Sequence, residues 1–220
     1  METYELLRLV PALADALPPN VALSLAKASF AVESAPHEQL LQAQVGEKTV
    51  VYLAAGFACA AGSRQAAMSP RLYRPNCWVL PHLTLDPASP PPVIKSLTHA
   101  IFVLIPQTAF LDSLVRNPVL TLSINQKLIQ QLQLDDWLLY VLRHKSAEGR
   151  VAAVFYYLSH EVFRQPAFEC PLAQRDLAHL AGLRRETFNR ALCVLKKQGL
   201  VNVENTYVSI PDPEVLKQVS

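Results

Sequence analysis

The chain has 220 residues, of which 51% are hydrophobic and 17% charged, and its net charge is only +2. That length holds two modest domains with real cores, and the apolar content excludes a disordered or fibrous polymer. The charge is unevenly placed: residues 1–163 carry twelve basic and twelve acidic side chains, residues 164–197 seven basic and three acidic, so a polyanionic partner is expected near the C-terminal end.

The chain opens Met1-Glu2-Thr3-Tyr4-Glu5, an acidic start unlike a secretory leader. No apolar run reaches the ~18 residues needed to span a bilayer. The expected setting is the cytoplasm, without membrane contact. Leu6, Leu9, Val10, Leu13 and Leu17 then repeat as a short amphipathic helix ended by Pro18-Pro19. Short β-rich segments follow, broken by Gly, Pro and polar clusters: Val21–Leu25, Gln44-Val45, Lys48–Leu53, Trp78–Leu80 and Ile101–Ile105. They suggest a small β-roll. Pro87-Ala88-Ser89-Pro90-Pro91-Pro92 reads as an exposed, stiff spacer between strands.

From Pro118 to Arg143 the spacing predicts one long helix. Leu120, Ile124, Leu128 and Leu132 recur every fourth residue, and proline stands at the start, where its missing N–H costs nothing. A second apolar set, Leu122, Ile129, Leu134 and Leu139, lies off that stripe, so the helix needs two partners. Ser146–Arg150 is expected to be a hinge, and Val151–Phe163 a further helix.

Two short amphipathic helices hinged at one glycine come next, the layout of a helix-turn-helix. Leu177, Leu180 and Ala181 form the apolar face of the first, Gly182 supplies the turn, and Phe188, Leu192 and Leu195 repeat at i, i+4, i+7 in the second. Arg185, Glu186, Asn189 and Arg190 fall off that stripe. There arginine can grip guanine O6 and N7, and a carboxylate can accept from cytosine N4. Thr187 can reach a phosphate, and Gln174, Arg175 and Arg184 flank the same region. Lys196-Lys197-Gln198-Gly199 ends the helix with cations and a glycine cap. Residues 200–210 then read as two short strands about an Asn-containing turn, which is a wing.

These residues resemble the superfamily of the cyclic-AMP receptor protein and the fumarate-nitrate regulator, known as Crp/Fnr. Its winged helix carries Gly-x-x-Arg-Glu-Thr-x-x-Arg and then a Leu-x-x-x-Gly-Leu-Val entry into the wing. Here the pattern stands as Gly182-x-x-Arg185-Glu186-Thr187-x-x-Arg190 and Leu195-x-x-x-Gly199-Leu200-Val201. Three positions depart from it. Ala173 and Arg184 occupy the helix starts where relatives often place Ser or Thr, and Asn189 stands where many have Gly or Ser.

The resemblance implies an α+β chain: an N-terminal β-roll of cyclic-nucleotide-binding-like or cupin-like form over residues 1–117, a dimerisation helix over 118–145, and a winged-helix DNA-binding domain over 146–220. It implies that Arg185, Glu186 and Arg190 read bases, that Thr187 touches the backbone, and that Leu120, Ile124, Leu128 and Leu132 line the homodimer seam. Pro106–Val115 resembles the short helix that enters the dimer helix. The implied function is transcription regulation through a two-fold symmetric site on double-stranded DNA, with RNA polymerase as a further partner.

The signal is a separate question. Cyclic-nucleotide relatives hold phosphate with Gly-Glu followed shortly by Arg-Ser or Arg-Thr, and the corresponding Arg71–Pro81 lacks those glycines. Cyclic-nucleotide control is therefore not expected, and the small-molecule effector is unknown or absent. Arg71, Arg74 and Trp78 are read as scaffold. The first cysteine is Cys59, so the N-terminal cluster of an iron-sulfur centre is missing. His82 and His99 are lone histidines, not haem ligands by pattern. Cys59, Cys77, Cys170 and Cys193 have no Cys-x-x-Cys spacing and read as inert thiols. No cofactor or metal is expected. The alternative is a cupin-like binding module or enzyme with an accessory winged helix, but the six histidines are dispersed with no His-x-His, so an enzyme is not expected.

Overall fold

The computed structural model describes residues 8–40, 49–61, 71–79, 93–144 and 146–219. The chain divides into two compact units, Met1–Gln130 and Gln131–Ser220.

In the first unit, helices α1 (Pro11–Ala16) and α2 (Pro19–Ala28) precede seven strands. These are β1 (Phe30–Ser34), β2 (Thr49–Ala55), β3 (Ala58–Ala61), β4 (Arg71–Tyr73), β5 (Cys77–Val79), β6 (Val93–Ser96) and β7 (Ala100–Pro106). They form an antiparallel four-stranded sheet in the order β1-β7-β2-β5 and a three-stranded sheet in the order β4-β3-β6. The central pair β2 and β7 is buried on both faces. Val50, Tyr52 and Ala54 with Val103 and Ile105 pack beneath Leu13, Leu17, Leu25 and Ala26 of the helical layer. Val51 and Leu53 with Phe102 and Leu104 face Ala58, Tyr73 and Ile94 of the second sheet. That is why these strands read as continuous apolar runs rather than alternating ones. Trp78 belongs to the helical side, with ring centroids 4.8 Å from Tyr52 and 5.0 Å from Phe110. It is a core residue, as the scaffold reading expects.

Helix α3 (Gln107–Arg116) leads into α4 (Pro118–His144), a single helix inside which the boundary between the units falls. Leu120 and Ile124, 0% and 4% exposed, enter the same core as Phe110. Leu128 and Leu132 are 37% and 63% exposed. The four-residue stripe is therefore divided: its first two members are spent on the chain's own core.

The second unit follows α4 with α5 (Ala147–Tyr157), a π-helical turn (Leu158–Val162), β8 (Ala167–Glu169), α6 (Gln174–Leu180), α7 (Arg185–Lys197), β9 (Asn202–Glu204), β10 (Tyr207–Ser209) and α8 (Pro213–Leu216). Its sheet runs β8-β10-β9, antiparallel throughout. Val151, Phe155, Leu158, Phe168, Leu177, Phe188, Leu195 and Val208 are buried. In the π turn, Phe163 N donates to Leu158 O at 2.8 Å. The chain then leaves through Arg164 at φ 55°, and Phe163 stacks on Phe168 with centroids 4.3 Å apart and planes at 9°.

Two expectations are corrected. Val21–Leu25 is not a strand but the middle of α2, because Pro19 sits in its first turn and the residues it buries, Ala22, Leu25 and Ala26, follow helical spacing. The span Ser146–Arg150 is not a loop hinge. Ser146 is the N-cap of α5, its Oγ accepting from Gly149 N at 3.1 Å, so residues 147–150 are helical. Gln44-Val45, Leu80 and the proline segment 87–92 lie outside the described residues.

Candidate nucleic-acid interface

The interface is assembled from α6, a four-residue turn, α7 and the wing. Helix α6 buries Leu177, Ala178 and Leu180, and α7 buries Phe188, Ala191, Leu192 and Leu195. The Phe188 ring lies 6.4 Å from that of Phe155 on α5. Each of the two helices ends in a glycine-centred cap. At the first, Leu183 N donates to Ala178 O at 2.9 Å and Gly182 N to His179 O at 3.0 Å. At the second, Leu200 N donates to Leu195 O and Gly199 N to Lys196 O, both at 3.0 Å. In this motif the residue after the cap turns left-handed, and Gly182 and Gly199 do so at φ 61° and 71°. The two glycines differ in their surroundings. A Cβ on Gly182 would stand 2.8 Å from Leu142 Cδ2, whereas one on Gly199 would meet nothing within 4 Å.

The helix starts bear out the reading of Ala173 and Arg184. Both are N-cap residues and neither makes a side-chain capping bond. An oxygen-bearing cap at either site adds about 1 kcal/mol. Helix α7 draws on its dipole instead, with Glu186 in the first turn and Lys196 and Lys197 in the last.

The buried stripe of α7 fixes what faces outward. Arg184, Arg185, Glu186 and Arg190 are exposed, and Thr187 and Asn189 are half-buried on the flanks. Gln174 and Arg175, in the first turn of α6, are exposed as well. Seven of the eight expected side chains thus lie on two successive helices, and the eighth, Arg184, is the N-cap of the second. Two features of this surface escaped the sequence reading. Lys196 Nζ donates to Val203 O at 2.9 Å and so ties α7 to the wing. The pair i and i+7 across a loop has no signature in composition. The wing sheet also has a third strand, β8, whose three residues are too few to show alternation. The hairpin turn itself is as expected, with Asn205 left-handed at φ 54°.

Burial pushes the Cys170 thiol beneath this surface up to about 11, which keeps it protonated, whereas Cys193 on α7 is exposed. Among the described residues, no group of three or more His, Cys, Asp or Glu side chains is placed to hold a metal ion. Among those residues, too, no helix is long and apolar enough to cross a membrane.

Comparison with known proteins agrees with this geometry. Residues 149–219 match the family model of the Crp-like helix-turn-helix domain. The fumarate and nitrate reduction regulatory protein of Yersinia pestis is 27% identical over 134 residues, 59% of this chain and 54% of its own length. The protein of the same name from Escherichia coli (strain K12) is 30% identical over 90 residues, 39% of this chain and 36% of its own length. The chain thus spans about half, or less, of the curated relatives it matches. The structure of FixK2 from Bradyrhizobium japonicum superposes with a TM-score of 0.74 over 87% of this chain and 97% of that one, at 15% identity, which shows a common fold. The second unit is a winged helix of the Crp type. Over the chain as a whole the likeness is one of fold, shared with FixK2, and the curated relatives it matches are named as regulatory proteins.

Proposed function

We propose that this protein is a homodimeric regulator that binds a two-fold symmetric site on double-stranded DNA, each protomer placing α7 in a major groove. The observation that carries this reading is the exposure of Arg185, Glu186 and Arg190 together on the outer face of α7, opposite Phe188, Ala191, Leu192 and Leu195. Arg185 and Arg190 pair with guanine O6 and N7, and Glu186 accepts from cytosine N4. Thr187, Gln174, Arg175 and Arg184 reach phosphates, which set position and salt dependence.

The dimer seam lies along α4. Because Leu120 and Ile124 are committed to the core, the side chains left for a second copy are Val119, Leu122, Ile129 and Leu132, which are 55–66% exposed, together with Leu128. Apolar side chains in such a row are costly to leave in water. A partner helix of the same sequence covers them by two-fold symmetry. In this reading residues 1–117 are a sensor-like domain, 118–145 the dimerisation helix and 146–220 the DNA-binding domain, in a cytoplasmic protein. The absence of a Gly-Glu and Arg-Ser cassette in the sequence supports control by something other than a cyclic nucleotide, or no effector at all.

Selection from a random duplex pool at moderate salt tests the proposal. Wild type should enrich a two-fold symmetric sequence, and the Arg185→Ala, Arg190→Ala double variant should not. Loss of Arg190 alone should cost ~1–3 kcal/mol of discrimination at one base position. Equal enrichment by wild type and the double variant would remove the base-reading assignment.

A further inference from the structure

We infer that Asn189 is a specificity-determining residue that reads an adenine in the major groove, within the half-site contacted by Arg185, Glu186 and Arg190. The inference rests on the DNA-reading role proposed above. An α-helix turns about 100° per residue. Counted from Arg185, Glu186 then lies at about 100°, Arg190 at about 140° and Asn189 at about 40°. The buried residues Phe188, Ala191, Leu192 and Leu195 occupy the arc from about 240° to about 340°. Asn189 therefore stands inside the arc spanned by the three reading side chains, one turn beyond Arg185.

The state of its amide is the second observation. Asn189 is half-buried, and its Oδ1 lies out of solvent with no hydrogen-bond partner. A carbonyl oxygen in that position has given up water and gained nothing, an arrangement that native proteins rarely keep. Packing alone does not call for it, since alanine at this place strands no acceptor. The amide needs a partner that offers one donor and one acceptor side by side. Among base edges in the major groove only adenine does so: its N6 amino group donates to Oδ1 and its N7 accepts from Nδ2. Guanine offers two acceptors there, cytosine a donor, and thymine an acceptor beside a methyl group. Rotation of the side chain from the helix flank into the groove releases the stranded oxygen, so the resting rotamer is the less favourable one once an adenine edge is within reach.

Sites selected by the full chain test this, with Asn189→Ala, Asn189→Asp and Arg190→Ala compared with wild type. Wild type should show one adenine-specific position per half-site. Asn189→Ala should lose ~5- to 150-fold discrimination at that position alone. Asn189→Asp, nearly the same shape but without the amino donor, should move the preference there from adenine to cytosine, an outcome that general weakening of the helix cannot produce. If Arg190→Ala relaxes its own position while both Asn189 variants select the wild-type site, the inference falls and the DNA-reading role stands. If wild type selects no symmetric site, both fall.

Discussion

Helices α4 and α7 are each apolar on one side and packed by it into a core, yet the sides they leave in water are chemically opposite. Helix α7 exposes Arg185, Glu186, Arg190, Lys196 and Lys197. Helix α4 exposes Val119, Leu122, Ile129 and Leu132. A charged outer face is soluble as it stands and waits for a polyanion, whereas an apolar one is incomplete until another apolar face covers it. The same chain thus carries one helix with a charged outer face and one with an apolar outer face, which the proposed dimer would cover. Exposure, more than helical periodicity, separates the two roles.

The comparison is sharpest at its buried ends. Phe188 is fully buried in α7 beside Phe155, and Phe188→Ala should cost ~3–5 kcal/mol of stability in the second unit, read by denaturant unfolding of the full chain. The two capping glycines come next. Alanine at a left-handed position costs about 1–2 kcal/mol. Gly182→Ala adds a contact with Leu142 at 2.8 Å that Gly199→Ala does not have, so the first variant should melt lower than the second. Equal melting would mean that Leu142 yields freely.

The exposed side of α4 predicts a smaller effect of another kind. Leu122→Glu and Ile129→Glu should change the stability of a single chain by no more than about 0.5 kcal/mol, as for ordinary surface substitutions. The same variants should halve the mass found by sedimentation equilibrium. A wild-type protein that sediments as a monomer at high concentration would break the contrast between the helices.

The smallest effect concerns the thiols. Burial raises Cys77 and Cys170 from 9.0 to about 12 and about 11. Both stay protonated at pH 8, so an alkylating reagent should reach exposed Cys193 first and Cys170 last. The unfolded chain releases these protons earlier than the folded one. Stability is therefore retained below about pH 9 and falls as pH rises from there toward 11–12. Tyr52, raised by burial to about 12, acts in the same direction.

The winged helix was legible because its signals are local. One glycine, a stripe of Phe188, Leu192 and Leu195, and charged residues off that stripe lie within a few turns of each other. The roll was less so. Val21, Leu23 and Leu25 alternate like a strand, but the residues that α2 buries include the small Ala22 and Ala26, which carry little hydropathic signal. Strand β3 consists of Ala58-Cys59-Ala60-Ala61, with no branched or aromatic side chain, and is held by pairing to β4 and β6. The end of the supposed hinge depended on one hydroxyl, that of Ser146. For α4, spacing found the helix but could not tell which stripe meets the core, because both are leucine-rich. Only the burial of Leu120 and Ile124 separates them.

The π turn at Leu158–Val162 places one residue more in its hydrogen-bonded loop than an α-turn would. Every element after it is therefore set by a count of residues as much as by their identity. A chain one residue shorter at this point would close an ordinary turn and rotate the downstream segment by about 100°. Phe188 would swing away from Phe155, and α7 would lose its packing on α5. Substitutions in this segment should be absorbed far more readily than a single deletion.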